Sequence, residues 1–475
     1  MAQRGTGNMF TYIKDKRSVT GICLIALYNF VFLGTEYFFD NVCAHFVGEH
    51  QVVTAQNTVL GISAIGFLVY GLLYRYLGNT MMRVLESVLC AGVIVLLGML
   101  NALQGYGDVL ICGCVMFLFL GIFGAKICYC ASTRLPNLRY MSRTMGFGYA
   151  LGILLQFLNN NMVQGDMSQS IVLACGMMIL FALSLFSEKL PEVAYTNEHR
   201  EMKSVKMAIL MLVVVTALMT LIFSNLDNAV TLVHASGDFD IGQWPRLLLA
   251  LSGIVAGILY DIKERKYMPY IMYIVTIISV GSMVILQLGG SFLYGLLIFY
   301  ISAGFFVVFF MTAFMQISYY TSMPRLWAGL GRGVNNGCGC LTTVVSLALL
   351  GRESPILVLM VALVLFAFIS LCMIGYHIWG AIYELDEATS EKESVNSDAE
   401  KENRVIVFGR KYNLTEREVE CLEAIVSMDC PVSEIAGYLA ISRAALYRHI
   451  ANMNQKTGTK DRKELIRLCY EKNQK

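Results

Sequence analysis

Twelve runs of largely apolar residues, each close to the ~20 that a helix needs to cross a bilayer, decide what this chain can fold into. Backbone N–H and C=O groups find no water in hydrocarbon, so a chain that places such runs in lipid satisfies them internally as helices. The runs lie near residues 19–39, 53–74, 84–104, 109–131, 144–163, 170–187, 207–226, 246–262, 269–288, 292–317, 333–350 and 355–383. With 56% hydrophobic and 15% charged residues among 475, the chain has more apolar surface than a water-soluble fold can hide. The expected fold is all-α: a polytopic membrane body of 12 transmembrane helices, followed by a smaller helical domain.

The net charge of +2 says little by itself, but the charges are unevenly spread. Lys and Arg gather in alternate loops. If the N-terminus is inside, the inner segments hold 18 of them, from Arg4 in the first to Arg325 and Arg332 in the last, and the other side holds only Arg246 and Arg352. Positive residues are retained on the cytoplasmic face, so both termini are expected there. The polar N-terminal stretch, with Arg4, Lys14, Lys16 and Arg17, does not read as a cleaved signal peptide.

The segments expected from this pattern are a cytoplasmic N-terminus (1–18), a first six-helix half (19–187), a central cytoplasmic loop (188–206), a second six-helix half (207–383), an acidic flexible linker (384–404) and a C-terminal domain (405–475). Two halves of six helices suit a transporter with parallel repeats. After the eighth run stands Gly257-Ile-Leu-Tyr-Asp261-Ile-Lys-Glu-Arg265-Lys266, and after the second a degraded counterpart, Gly71-Leu-Leu-Tyr-Arg75-Tyr-Leu-Gly78. A glycine, then an aspartate, then paired basic residues resembles the loop signature of the major facilitator superfamily. That resemblance implies a facilitator-like membrane body in which Asp261 gates or pins the two halves.

Fourteen cysteines raise the question of metal or disulfides. Most sit inside apolar runs, and no CxxC pair with zinc spacing occurs, so they read as packing residues. No phosphate loop or nucleophile–base grouping appears, and His45, His50, His199, His234, His377 and His449 are far apart in the chain. No enzyme, metal or cofactor is expected.

The last seventy or so residues are punctuated as four helices. Thr415-Glu-Arg-Glu418 and Asp461-Arg-Lys-Glu464 each have capping-box spacing. Ser442 is placed to cap a third helix on which Leu446, Ile450 and Met453 share a core stripe. The ordered set Leu414-Thr415-x-Arg417-Glu418-x-Glu420, Glu434-Ile435-Ala436-x-x-Leu439-x-Ile441-Ser442, His449-Ile450, Lys456, Gly458, Arg462 and Glu464-Leu465 resembles the LuxR-type helix-turn-helix domain.

That resemblance implies a bacterial transcription regulator whose third helix enters the major groove of double-stranded DNA. The residues it places at DNA are Ser442, Arg443, Ala444, Tyr447, Arg448, Ala451, Asn452 and Lys456. Where the family has Thr-Val-Lys, this chain has Ala445-Leu446-Tyr447, which removes one basic contact and leaves Arg443 and Arg448 to supply charge. From Val405 onward, 12 basic and 9 acidic residues leave 12 − 9 = +3, so pairing into a homodimer through the fourth helix is expected to add phosphate contacts.

Ionisable residues inside spans are costly in lipid and mark functional positions. Glu36, Glu86, Lys126, Asp227 and Arg246 are of this kind. Glu36 and Asp227 occupy corresponding places in the first and seventh runs. With Lys126, Asn160, Asp261 and Asn335 they are the expected ligand or gating residues, although each also fits a role in bridging helices or reaching an interface. Three functions remain open: a sensor-regulator of the bacterial inner membrane with a small-molecule ligand, a secondary transporter with an appended regulatory domain, and an inert anchor.

Overall fold

In a computed structural model of the chain, residues 15–135, 138–190, 202–238, 240, 242–287, 291–350, 356–357, 359–372, 374–375, 405, 407–427 and 432–470 are described. They form two units, 1–376 and 377–475, each with its own hydrophobic core. No strand occurs among the described residues.

The first unit holds α1 (Lys16–Ala44), α2 (Glu49–Tyr76), α3 (Asn79–Leu100), α4 (Tyr106–Thr133), α5 (Met141–Met162), α6 (Asp166–Ser187), α7 (Met202–Ala235), α8 (Arg246–Tyr260), α9 (Met268–Gln287), α10 (Phe292–Ser318), α11 (Pro324–Leu350) and α12 (Leu359–Cys372). Eight of these are long and apolar enough to span a membrane; α8, α12 and the apolar part of α9 are shorter, and α5 is diluted by Gln156 and Asn159 to Asn161. Local chemistry starts several of them. The Asp15 carboxylate accepts the Arg17 amide ahead of α1, and Pro324 stands first in α11, where a missing N–H costs nothing.

Several helices extend past their expected ends, α7 and α11 the furthest, and α7 begins at Met202, inside the stretch 188–206 expected as a loop. Beginning at Pro324, α11 turns the stretch before residue 333 into helix, so Arg332, expected in a loop, lies buried within a span. Continuing to Ala235, α7 carries Asp227, Asn228 and His234 as helical residues. Polar side chains are tolerated in these extensions because they face the bundle interior. The expected twelfth run reached residue 383; its part from 376 on, like the linker 384–404, lies outside the described residues.

Within the bundle α2 packs on α4 and α11, and α5 on α1 and α8. The contacts of α2 with α11 and of α5 with α8 join the first six helices to the last six. Both run through the signature glycines. A Cβ on Gly257 would come within 2.8 Å of the Ser142 carbonyl oxygen, and one on Gly71 within 2.7 Å of Leu326 Cβ. Larger residues would force these backbones apart.

The second unit contains α13 (Glu416–Ser427), α14 (Val432–Tyr438), α15 (Arg443–Thr457) and α16 (Arg462–Tyr470). Its core joins Leu422, Ile425, Ile435, Leu446, Ile450, Met453 and Leu465. The first capping box closes, and in the second the Glu464 carboxylate accepts the Lys460 amide in place of the Asp461 amide. Thr415 N donates to Glu418 Oε2 (2.8 Å) and Glu418 N to Thr415 Oγ1 (3.3 Å), while Glu464 N donates to Asp461 Oδ1 (2.8 Å). Between α14 and α15, Ala440 adopts φ +51°, and Gly458 ends α15 at φ +74°.

Candidate functional site

A cavity of about 180 Å³ lies between the first and last six helices. From α1 come Glu36, Tyr37 and Asp40, from α2 Gln56 and Asn57, from α7 Asp227, from α8 Arg246, and from α11 Arg332, Asn335 and Asn336. Glu36 and Asp227, far apart in sequence, therefore face one space. Gln56 Nε2 donates to Glu36 Oε1 at 2.9 Å, whereas Asp40, only 6% exposed, leaves its Oδ1 without a partner.

Both arginines are held by the walls. Arg332 Nη2 donates to Asn29 Oδ1 (2.6 Å), and its guanidinium lies 5.1 Å from the Phe32 ring centre. Arg246 Nη2 donates to Gln156 Oε1 (3.0 Å), while its Nε is buried without a partner.

A chain of polar side chains crosses from half to half beside the cavity. Asn57 Nδ2 donates to Asn228 Oδ1 (2.8 Å), Asn228 Nδ2 to Ser346 Oγ (2.9 Å), and Ser346 Oγ to Asn225 Oδ1 (3.1 Å). Asn335 receives a bond from Thr220 Oγ1 (3.2 Å) and donates to Asn336 Oδ1 (3.2 Å). Side-chain amides both donate and accept, so such a chain closes without introducing charge.

Other expected residues lie elsewhere. Lys126, 2% exposed, is ion-paired with Glu86 and lies 3.1 Å from Glu188, which in turn meets Arg83 at 3.2 Å. It ties α3, α4 and the end of α6 together and does not line the cavity. Nor does Asn160, whose Nδ2 is buried without a partner. Asp261, in the turn after α8, accepts the backbone amides of Ser142 and Arg143, each at 3.0 Å. Arg265 completes that junction, donating to the Leu138 carbonyl (2.6 Å) and Gln316 Oε1 (3.0 Å). A charged acceptor thus meets the free amides of a helix start in the opposite half.

Two charged cavity residues escaped the reading of the sequence. Asp40 falls just past the expected end of the first run, and Arg332 just before the expected start of the eleventh. Helical spacing was a usable clue, since Asp40 is four residues after Glu36 and Arg332 three before Asn335, which places each pair on one face.

In the second unit the Ser442 hydroxyl accepts the Ala445 amide at 3.2 Å and starts α15. Ser442, Arg443, Ala444, Tyr447, Arg448, Ala451 and Asn452 are all exposed, opposite the buried Leu446, Ile450 and Met453. Lys456 is engaged within the domain: its Nζ bonds Glu418 Oε2 at 2.6 Å and the Asn413 carbonyl at 3.1 Å. Burial alone would push the Glu418 carboxyl up, but bonds from Lys456 and Thr415 outweigh it and hold the group below its ordinary range.

Comparison with known proteins separates the two units. Residues 412–469 match the family GerE, bacterial regulatory proteins of the luxR family, so the chain ends in a LuxR-type helix-turn-helix domain. No curated protein matches the chain significantly. Among solved structures, an auto-inhibited POT family peptide transporter is similar over 77% of this chain and 97% of its own, with 12% identity and a TM-score of 0.53. A mutant of the nucleoside transporter NupG is similar over 77% and 100%, with 13% identity and a TM-score of 0.48. At 12% identity, the likeness to the peptide transporter is one of fold. The first unit is a helical bundle with the fold of that transporter, and eight of its described helices are long and apolar enough to cross a membrane.

Proposed function

We propose that the chain is a membrane-bound transcription regulator of the bacterial inner membrane, with both termini in the cytoplasm. Its C-terminal domain (405–475) binds double-stranded DNA as a homodimer paired through α16, and its membrane body senses a small molecule. The observation that carries this proposal is the exposed face of α15, where Arg443, Tyr447 and Arg448 stand clear of the core at the start of a Ser442-capped helix. A helix of this kind supplies base and phosphate contacts from its N-terminal turns.

The membrane halves (19–187 and 207–383) flank the cavity, the segment 188–206 connects them, and the segment 384–404 leads to the DNA-binding domain. A ligand shifts such a two-state body only by as much as it prefers one state over the other. The carboxylates and guanidiniums lining the cavity provide groups that can express such a preference.

Transcript profiling of strains carrying the parent and Arg448→Ala, matched for protein level, tests regulation. A set of transcripts should change in the variant; identical profiles, with the purified parent chain failing to retain any promoter fragment, would rule regulation out. The charged cavity also favours a second function, secondary transport. Accumulation of a solute in vesicles that is lost on changing Glu36 or Asp227, with transcripts unaltered, would establish transport in its place.

A further inference from the structure

We propose that the central cavity takes a small organic ammonium ion with an apolar body, its charge seated among Glu36, Asp40 and Asp227, an assignment that rests on reading this cavity as the ligand site. Three carboxylates line one cavity. Glu36 receives a single bond, from Gln56, and neither Asp40 nor Asp227 has a hydrogen bond or ion pair among the described residues. A buried carboxylate without a partner, as at Asp40, is costly, and like charges held near it raise that cost. An ammonium group offers the donors and the opposite charge that the site lacks.

The cavity's own cations supply charge but no hydrogen bond to these carboxylates. Arg332 donates to Asn29 and faces the Phe32 ring, and Arg246 bonds Gln156 and Tyr300; Arg246 acts on the three carboxylates through its charge, without a hydrogen bond to any of them. The balance is negative by one charge, with three carboxylates against two guanidiniums.

A bare metal ion does not fit this arrangement. Among the described residues, no group of three or more His, Cys, Asp or Glu is placed to hold one. The cavity is also lined by Phe32, Phe223, Phe299 and Phe306, the Phe223 and Phe306 rings stacked with centres 4.4 Å apart. Aromatic faces accept both hydrocarbon and a cation. Carboxylates and aromatic rings lining one cavity suit an ammonium head with an apolar body.

Full-length protein in lipid nanodiscs, titrated calorimetrically with 2-phenylethylamine and with 3-phenylpropionate, tests this; the two probes are similar in bulk and opposite in charge. The amine should bind saturably and the acid should not. Asp227→Asn and Asp40→Asn, which keep side-chain shape, should each weaken amine binding about tenfold or more, as expected for losing one charge-assisted hydrogen bond. Unchanged thermal midpoints would show that these variants fold; Glu36→Gln serves the same purpose if one does not.

Equal or tighter binding of the acid, no binding of either probe, or full amine affinity in all the variants would overturn the proposal. Promoter retention by the parent and Arg448→Ala without added amine is read separately. Saturable amine binding beside a silent Arg448→Ala variant would therefore sink transcription control and keep the ligand class, and the reverse pattern would do the opposite.

Discussion

The Asp261 carboxylate accepts the Ser142 amide at 3.0 Å, so the turn after α8 holds the first helical residues of α5 in the opposite half of the bundle. The adjoining turn is itself strained. Lys263, Glu264 and Arg265 take φ values of +46°, +58° and +72°, a left-handed run that side chains with a Cβ rarely adopt. Bonds from Arg265 to Leu138 and Gln316 hold it in place.

Asp261→Ala removes a charged acceptor shared by two amides. Hydrogen exchange at Ser142 and Arg143 should accelerate about 10- to 100-fold, the range for losing a hydrogen bond to a charged group worth about 1.5–3 kcal/mol. Unchanged exchange there would mean that Asp261 does not hold the junction.

Lys456→Met should destabilise the C-terminal domain by about 1–3 kcal/mol, since Glu418, with a side chain 4% exposed, would lose its cation. Urea unfolding of residues 405–475, a unit with its own core, measures this. Arg448→Ala should leave the urea midpoint unchanged and weaken promoter binding by about 1–3 kcal/mol. The two basic residues lie on the same helix, and only Arg448 is free to meet DNA.

The Glu418 pair also gives the domain an acid limb. Its folded carboxyl titrates below the ordinary value of 4.5, so its stabilising contribution is fully present above that pH and is lost as the pH falls through the folded value. Urea midpoints taken at falling pH should drop in the parent and drop less steeply in Glu418→Gln. Parallel curves would show that other groups carry the acid sensitivity.

Ala440→Gly should stabilise the same domain by about 0.5–1 kcal/mol. Alanine at φ +51° pays a left-handed penalty of about 1–2 kcal/mol, of which glycine's greater freedom when unfolded returns part. A lower urea midpoint in the glycine variant would contradict the strain.

What the sequence determined by itself is what depends on neighbouring residues. Hydrocarbon thickness sets the length of each apolar run, so twelve helices could be counted from composition alone. Capping bonds reach three residues along the chain, and those at Thr415, Ser442 and Asp461 form where their spacing put them. Tertiary structure decided which polar groups meet. A helix apolar on nearly every side does not announce its inward face, so the convergence of Glu36, Asp40, Asp227 and Arg332 depends on how α1, α7 and α11 rotate as they pack. Lys456 shows the same limit in the other unit. The resemblance placed it at DNA, and only the approach of α13 to α15 turns its ammonium inward to Glu418, because a buried carboxylate competes for the nearest cation.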